Sequence, residues 1–302
     1  MATWSIVAPF HYEDRNHVFD KGYQLSPNLR IAQPPNWLSD EEFKDILKDQ
    51  FDLTGQRTTF AFIWEYVGKS FGDSDPASPP DSPRTMEAAG FQEILLANLA
   101  LWLAKPTSIS INIMIQAGQG LTYWQHIWNY KIRGIYSIEP DTKNHLLVDD
   151  LNAGKTLLQI MSKLPRNGAV WVAIRTLNEA LATEWWEGRF LFTWVALEAL
   201  FGPKEPREIS FRIRQRIALF LGANSSESKE IAQDCKRGYD WRSKVAHGVP
   251  LDKLTEKTSE EILHASEKVI RRALSKILLD SNLPPVFNGA TREEFLDNLV
   301  YK

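Results

Sequence analysis

An arginine and a histidine stand five positions apart near the end of the chain, in the stretch "YDWRSKVAHG" from Tyr239 to Gly248. The imidazole of a histidine titrates near neutral pH, so it can accept or donate a proton as a general base or acid. The planar guanidinium of an arginine binds phosphate and stabilises the negative charge that develops on it. Arg242 and His247 are therefore candidate catalytic residues, and the chemistry that they suit is a reaction at phosphate.

The spacing of this pair limits how the two side chains can meet. Residues five apart lie about 140° apart around a straight helix, so Arg242 and His247 do not point the same way from one. They would share a cleft if the helix ended or bent near His247, which Gly248 and Pro250 favour. A two-fold dimer, which brings two copies of the pair to one axis, is the other route. The alternative is a surface arginine in an ion pair and a histidine that favours the helix dipole.

The segment around the pair is basic. Residues 203–247 contain 10 lysine and arginine residues against 6 acidic ones, although the whole chain has a formal net charge of −3. Arg212 and Arg216 are four apart and share a helical face, and Lys244 lies inside the motif. A basic segment in an acidic protein is compatible with a cleft for a polyanion. A solvated charged face is the alternative for each single arginine.

A carboxylate lies among apolar residues upstream, in "WVALEALFG". A buried carboxylate needs a partner, and Arg242 or a backbone donor is the natural candidate for Glu198. The alternative is that Glu198 faces solvent at the edge of its helix.

The first half of the chain mixes strand and helix patterns, and we predict an α+β domain over residues 1–148. Segments rich in β-branched and aromatic residues favour strands, and segments with helical periodicity and capping residues favour helices. The strand candidates are "WSIVAPF", "TTFAFIWEYV", "SISINIMIQAG" and, as a strand or hairpin, "TYWQHIWNYKIRGIYSIEP". The helix candidates are "LSDEEFKDILKDQF" and "MEAAGFQEILLANLALWLA", with an exposed loop over Gly72 to Arg84 between them.

The second half changes character, because no strand pattern is convincing after about Val148. Successive helical patterns joined by short turns predict an antiparallel helical bundle over residues 149–302. The helix that carries the arginine and the histidine has a possible break near Gly238. The predicted helices are "LNAGKTLLQIMSKL", "AVWVAIRTLNEALATEWW", "EGRFLFTWVALEALFG", "EISFRIRQRIALFLG", "SSESKEIAQDCKRGYDWRSKVAHG", "TSEEILHASEKVIRRALSKILLD" and "TREEFLDNLVYK".

The stretch "YDWRSKVAHG" resembles the R-x4–6-H motif of HEPN domains, here with four residues between the arginine and the histidine. Together with the upstream "ALEALFG" it is most similar to the ApeA-like branch of that superfamily. The resemblance covers about Leu151 to Asp280, and its matching residues are Arg242, Ser243, His247, Gly248 and Glu198. HEPN domains are helical bundles, and many are metal-independent endoribonucleases that dimerise and place two Arg–His pairs in one cleft.

The resemblance implies roles for these residues. His247 would handle the proton of the ribose 2′-hydroxyl or protonate the leaving oxygen, and Arg242 would hold the phosphate, with no metal or other cofactor. Glu198 and Ser243 would support the site. Many active HEPN nucleases have Asn, Asp or His at the position of Ser243, whereas serine is common in the ApeA-like branch.

The expected partners are an RNA substrate, contacted by Arg212, Arg216 and Lys244, and a second copy of the chain. The ApeA-like branch further implies an effector of bacterial anti-phage defence, in which the N-terminal domain recognises a phage-derived trigger or restrains the nuclease. Two alternatives remain: a non-catalytic HEPN module for dimerisation or ligand binding, and a helical scaffold unrelated to HEPN domains.

Composition excludes several classes of protein. Cys235 is the only cysteine, so no internal disulfide forms, which fits a reducing compartment. The N-terminus lacks the basic start of a signal peptide, and the strongest apolar run, Phe190 to Phe201, is too short to span a bilayer. We predict a soluble cytoplasmic protein without a metal site, and "HYEDRNH", His11 to His17, as a polar loop.

Overall fold

In the computed structural model the described residues form two compact units, Met1–Ser162 and Lys163–Lys302. The first contains an antiparallel sheet and two helices, and the second is helical. The described residues are 2–11, 17–36, 59–68, 83–107, 109, 111, 114–118, 145–183, 185–205, 207–248 and 256–301.

A five-stranded antiparallel sheet lies at the centre of the first unit, in the order β2-β3-β4-β1-β5. Its strands are β1 (Ala2–His11), β2 (Tyr23–Gln24), β3 (Leu29–Ala32), β4 (Thr59–Gly68) and β5 (Ile115–Gly118). Consecutive residues of the central strand β1, Ile6 to Ala8, are all buried, which indicates that both faces of the sheet are covered there.

Two helices accompany this sheet, α1 (Pro83–Ala104) and α2 (Val148–Lys163). Helix α1 crosses the sheet so closely that a Cβ atom on Gly90 would lie 2.6 Å from Ile6 Cδ1. Helix α2 approaches α1 in the same way, because a Cβ atom on Gly154 would lie 2.7 Å from Leu101 Cδ2. The sequence analysis places α2 at the start of the C-terminal domain, whereas this contact groups it with the N-terminal unit.

Seven helices and a short 3-10 helix, Asn298–Tyr301, make up the described part of the second unit. Their shared core is aromatic and aliphatic, with Phe190, Trp194, Phe201 and Phe287 fully buried. The helices are α3 (Gly168–Ala182), α4 (Trp186–Phe201), α5 (Ile209–Leu221), α6 (Ser225–Ala246), α7 (Glu256–Leu279), α8 (Leu283–Asn288) and α9 (Arg292–Asp297).

The predicted order of a mixed α+β region followed by a helical region is confirmed. The strands predicted in "WSIVAPF" and "TTFAFIWEYV" and the long helices are present. Two predictions are corrected: the strand in "SISINIMIQAG" is confined to Ile115–Gly118 among the described residues, and α6 continues through Gly238 without a break. The helix "LSDEEFKDILKDQF", the segment "TYWQHIWNYKIRGIYSIEP" and most of the loop at 72–84 lie outside the described residues.

The described helices were also considered for membrane insertion. None of them combines the length and the apolar character that crossing a bilayer requires.

Candidate active site

Helix α6 has well-defined ends, and its C-terminal end positions His247. At its start the Asn224 side chain accepts a hydrogen bond from the Glu227 N–H at 3.0 Å, which is a standard N-cap. At its end Gly248 adopts a left-handed conformation with φ of +63°, as glycine commonly does after a helix. The His247 N–H still donates to the Ser243 carbonyl at 3.1 Å. The predicted helix end is confirmed, and His247 is the C-cap residue.

The interior glycine of α6 sets the distance between this helix and α4. A Cβ atom on Gly238 would lie 2.5 Å from Cζ2 of the buried Trp194 on α4, a separation that no real Cβ contact tolerates. The ring of the next residue, Tyr239, meets the Trp194 ring edge to face at 5.5 Å between centroids, a favourable aromatic geometry. The absence of a side chain at Gly238 therefore allows α6 to lie directly against α4.

One turn further along both helices, Arg242 reaches Glu198. Arg242 Nη2 donates a hydrogen bond to Glu198 Oε2 at 3.0 Å, and both side chains are about three-quarters buried. The prediction that Arg242 partners Glu198 is confirmed. The guanidinium also lies 5.8 Å from the centroid of the Tyr239 ring, within the range of a cation–π contact. Arg242 Nε is buried and has no acceptor among the described residues.

The electrostatics of this cluster depend mainly on burial. Burial raises the pKa of Glu198 above its usual value, although the charge and the hydrogen bond of Arg242 act in the opposite direction. The pKa of Tyr239 is also raised, first by burial and then by the negative charge of Glu198. The site is therefore a half-buried pocket of side chains in which one arginine is held in place by one carboxylate and one aromatic ring.

Arg242 and His247 lie on different sides of α6. Arg242 is turned towards α4, whereas His247 is exposed at the helix end. No hydrogen bond or ion pair joins the two in the described part of the chain. Ser243 is half-buried between them. Because α6 is a regular helix up to Ala246, the two side chains of one chain do not converge on one point.

Lys244 is exposed and lies on the outer surface of α6. Its Nζ atom is 4.1 Å from the centroid of the Trp241 ring. The lysine therefore remains available to a polyanion, as the sequence analysis requires of an RNA contact.

The other two predicted RNA contacts have a different role. Arg212 and Arg216 do share one face of α5, as their spacing predicts, but that face is turned towards α9. Arg216 is 3% exposed, and its Nη2 atom donates to Glu293 at 2.5 Å and to Asp297 at 2.7 Å. Arg212 Nη2 donates to the same Glu293 carboxylate at 3.1 Å. Arg216 has almost no surface to offer RNA, because its charge is neutralised inside the bundle.

These ion pairs also change the two carboxylates. Burial raises the pKa of Glu293 and of Asp297, but the hydrogen bonds and the charge of Arg216 outweigh burial, so both pKa values lie below the usual range. Carboxylates of this kind stabilise the folded state above their unfolded pKa values, near pH 4, and that contribution is lost as the pH falls through their folded pKa values.

The remaining candidates carry no chemistry. Cys235 is buried, and burial together with the charge of Asp234 raises the pKa of its thiol to about 12, so it is the inert thiol that the sequence predicts. His17 pairs with Asp20 at 3.1 Å, and residues 12–16 of the "HYEDRNH" segment lie outside the described residues. Within the described ranges, no group of three or more metal-binding side chains is arranged to hold an ion.

Comparison of the chain with protein-family models, with curated proteins and with solved structures gives no match. The functional argument therefore depends on the residues themselves. Sequence reasoning found Arg242, Glu198 and His247, but it missed Gly238 and Tyr239, which position the arginine. The available signal was a glycine in the middle of a helix, where glycine is unfavourable unless another group approaches closely.

Substitution of Gly238 by alanine should separate α6 from α4. The added methyl group has to displace Trp194, and overpacking of this kind costs about 1–3 kcal/mol, which exceeds the gain in helix propensity of up to about 1 kcal/mol. We expect Gly238→Ala to lower the midpoint of urea denaturation. Gln233→Ala, at an exposed position of the same helix, is the control that should leave the midpoint nearly unchanged. Equal midpoints for the two variants would show that the helices are not in close contact.

Substitution of Arg216 by methionine should leave Glu293 and Asp297 without their main partner. We expect a loss of about 3 kcal/mol in the free energy of unfolding at pH 7, and a loss below about 1 kcal/mol for the more exposed Arg212→Met control. The difference between wild type and Arg216→Met should shrink below about pH 4, because the carboxylates become protonated. Chemical denaturation at pH 7 and pH 3.5 measures both effects, and a difference that does not change with pH would contradict the assignment.

Proposed function

We propose that the second unit is a HEPN-type, metal-independent endoribonuclease whose catalytic residues are Arg242 and His247. The observation that carries the proposal is the exposed imidazole of His247 at the end of α6, one turn beyond an arginine that Glu198 and Tyr239 hold in place. The histidine is accessible to solvent and the arginine is oriented, which are the two requirements for proton transfer and for charge stabilisation at a phosphate.

The reaction needs no group beyond the RNA and these side chains. The ribose 2′-oxygen loses its proton and forms a bond to the adjacent phosphorus, while the bond between phosphorus and the 5′-oxygen breaks and that oxygen takes up a proton. His247 serves one of the two proton transfers. Arg242 binds the non-bridging phosphate oxygens, on which negative charge increases. The products are a 2′,3′-cyclic phosphate and a 5′-hydroxyl.

A homodimer is part of the proposal, because the two side chains of one chain diverge. In a two-fold dimer, Arg242 of one copy and His247 of the other can line the same groove. Helix α4, which carries Glu198, exposes an apolar face that suits such an arrangement. Trp185, directly before the helix, is 70% exposed, and Phe192 and Val195 are each 38% exposed. Their spacings of seven and three residues put these side chains on one side of the helix.

The proposal assigns the protein to the cytoplasm, as an effector of anti-phage defence. It is supported by a separate mixed α+β unit in front of the helical one, which is available for recognition of a phage-derived trigger.

A second candidate function is a non-catalytic HEPN module that binds a partner or a ligand. The observation in its favour is that the Arg242 guanidinium is bonded to Glu198 and faces away from His247 within one chain. Ser243, where many active HEPN nucleases carry Asn, Asp or His, favours the same candidate. This alternative predicts that the purified protein cuts no RNA.

Removal of either catalytic side chain should abolish cleavage. We expect Arg242→Ala to reduce the rate by about 100- to 1000-fold and His247→Ala by about 100- to 10,000-fold, with folding intact. EDTA should have no effect on the wild-type protein. The measurement is cleavage of labelled RNA in a gel, with identification of the cyclic phosphate end. Cleavage that survives both substitutions would overturn the mechanism.

Mixing the two variants tests the composite site. A heterodimer of Arg242→Ala and His247→Ala chains contains one groove with both wild-type side chains. Activity should therefore return when the two inactive proteins are mixed under conditions that exchange subunits. If the mixture stays inactive although heterodimers form, the arginine and the histidine do not act across a dimer.

Glu198 should act as a positioning residue for Arg242. We expect Glu198→Ala to reduce kcat by about 10- to 100-fold, because the guanidinium loses its orientation, whereas Glu198→Gln keeps an acceptor and retains most activity. Since burial raises the pKa of Glu198, the wild-type protein loses stability as the pH rises through the ionisation of this carboxyl above about pH 4. Glu198→Gln should lack that component in denaturation curves measured between pH 4 and pH 7. Equal activity of the alanine and glutamine variants would contradict the positioning role.

A further inference from the structure

The outer surface of α6 carries an aromatic residue beside the exposed histidine. Trp241, Lys244 and His247 follow one another at intervals of three residues, so their side chains occupy neighbouring positions on the helix surface. Trp241 is half-buried, whereas Lys244 and His247 are exposed. This surface is on the opposite side of α6 from the Arg242–Glu198 pair, and the proposed function has so far given Trp241 no role.

Lys244 covers the Trp241 ring without being fixed there. The distance of 4.1 Å from Lys244 Nζ to the ring centroid is the shortest cation–ring distance among the described residues. No described carboxylate pairs with Lys244. Lys276, which lies 4.7 Å from the Phe220 ring, differs because its Nζ atom also donates to the Phe220 carbonyl at 2.6 Å. A ligand can therefore displace Lys244 from the ring without breaking an ion pair.

We propose that the Trp241 ring is a stacking platform for an unpaired base of single-stranded RNA, and that Lys244 moves from the ring to a neighbouring phosphate. This inference rests on the proposed ribonuclease function. Stacking of a base on an aromatic side chain is stronger than an exposed cation–π contact, so a base replaces the ammonium group. His247 lies six residues further along, about 9 Å along the helix axis, so the stacked base lies close to the bond that is cut.

The structure thereby assigns a substrate class to the site. A base that stacks on Trp241 cannot at the same time be paired and stacked in a duplex. The enzyme should therefore select unpaired RNA, and it should tolerate different bases at this position, because every base presents an aromatic face.

The test uses the full chain with His247→Ala, so that binding is measured without cleavage. Fluorescence anisotropy of a labelled single-stranded RNA gives the Kd for this protein and for its Trp241→Ala and Trp241→Phe forms. We expect Trp241→Ala to weaken binding about 5- to 150-fold and Trp241→Phe to bind within a few-fold. The matched control is Trp171→Ala, since Trp171 is a half-buried tryptophan with Arg166 5.8 Å from its ring centroid, and it should leave the Kd unchanged.

RNAs with a single abasic nucleotide identify the stacked base. One abasic position should weaken binding to the His247→Ala protein as much as Trp241→Ala does, and should cause no further loss in the double variant. Lys244→Met should reduce the slope of log K against log salt by about 0.7, the value for one phosphate contact of a single strand.

The outcomes separate the two proposals. RNA binding that is unaffected by Trp241→Ala, or abasic losses that simply add to it at every position, overturns the stacking role and leaves the ribonuclease proposal standing. If the wild-type protein neither cuts nor binds RNA, the proposed function and this inference fail together. Thermal unfolding of each variant shows whether the fold is retained, and the phenylalanine form keeps the test valid if the alanine form does not fold.

Discussion

The close contact between Gly238 on α6 and Trp194 on α4 is the constraint on which the candidate site depends. It sets both the separation and the register of the two helices, because a buried indole lies where a side chain on Gly238 would have to be. One turn later the same register brings Arg242 to Glu198. The arginine is thus positioned by packing between two helices, and its ion pair is a consequence of that packing.

The helical unit uses most of its described arginines internally. Arg216 binds Glu293 and Asp297, Arg189 binds Glu267 at 2.5 Å, and Arg242 binds Glu198. Basic residues counted along the chain therefore overstate the positive charge at the surface. The cations that remain available near the candidate site are few, and Lys244 on the outer side of α6 is one of them. A polyanion would meet this narrow surface, not a broad basic patch.

The sequence predicted what depends on local pattern and missed what depends on distant contacts. The helix end at Gly248 follows from glycine chemistry, and the Glu198–Arg242 pair follows from the cost of burying a carboxylate. The continuous course of α6 through Gly238 was not predicted, because the reason for that glycine lies on another helix. The burial of Arg216 was missed for the same reason, since its partners are about 80 residues further along the chain. The short strands β2 and β3 have too few residues to show a clear alternation.

The single cysteine of the chain has a practical consequence. Cys235 is buried and its thiol pKa is about 12, so thiol reagents at neutral pH leave it unmodified while the protein is folded. A cysteine introduced at an exposed position then becomes the only reactive thiol. Dyes or spin labels can be attached at one chosen point without first removing a native residue, and distances between labelled subunits become directly measurable in an otherwise unaltered protein.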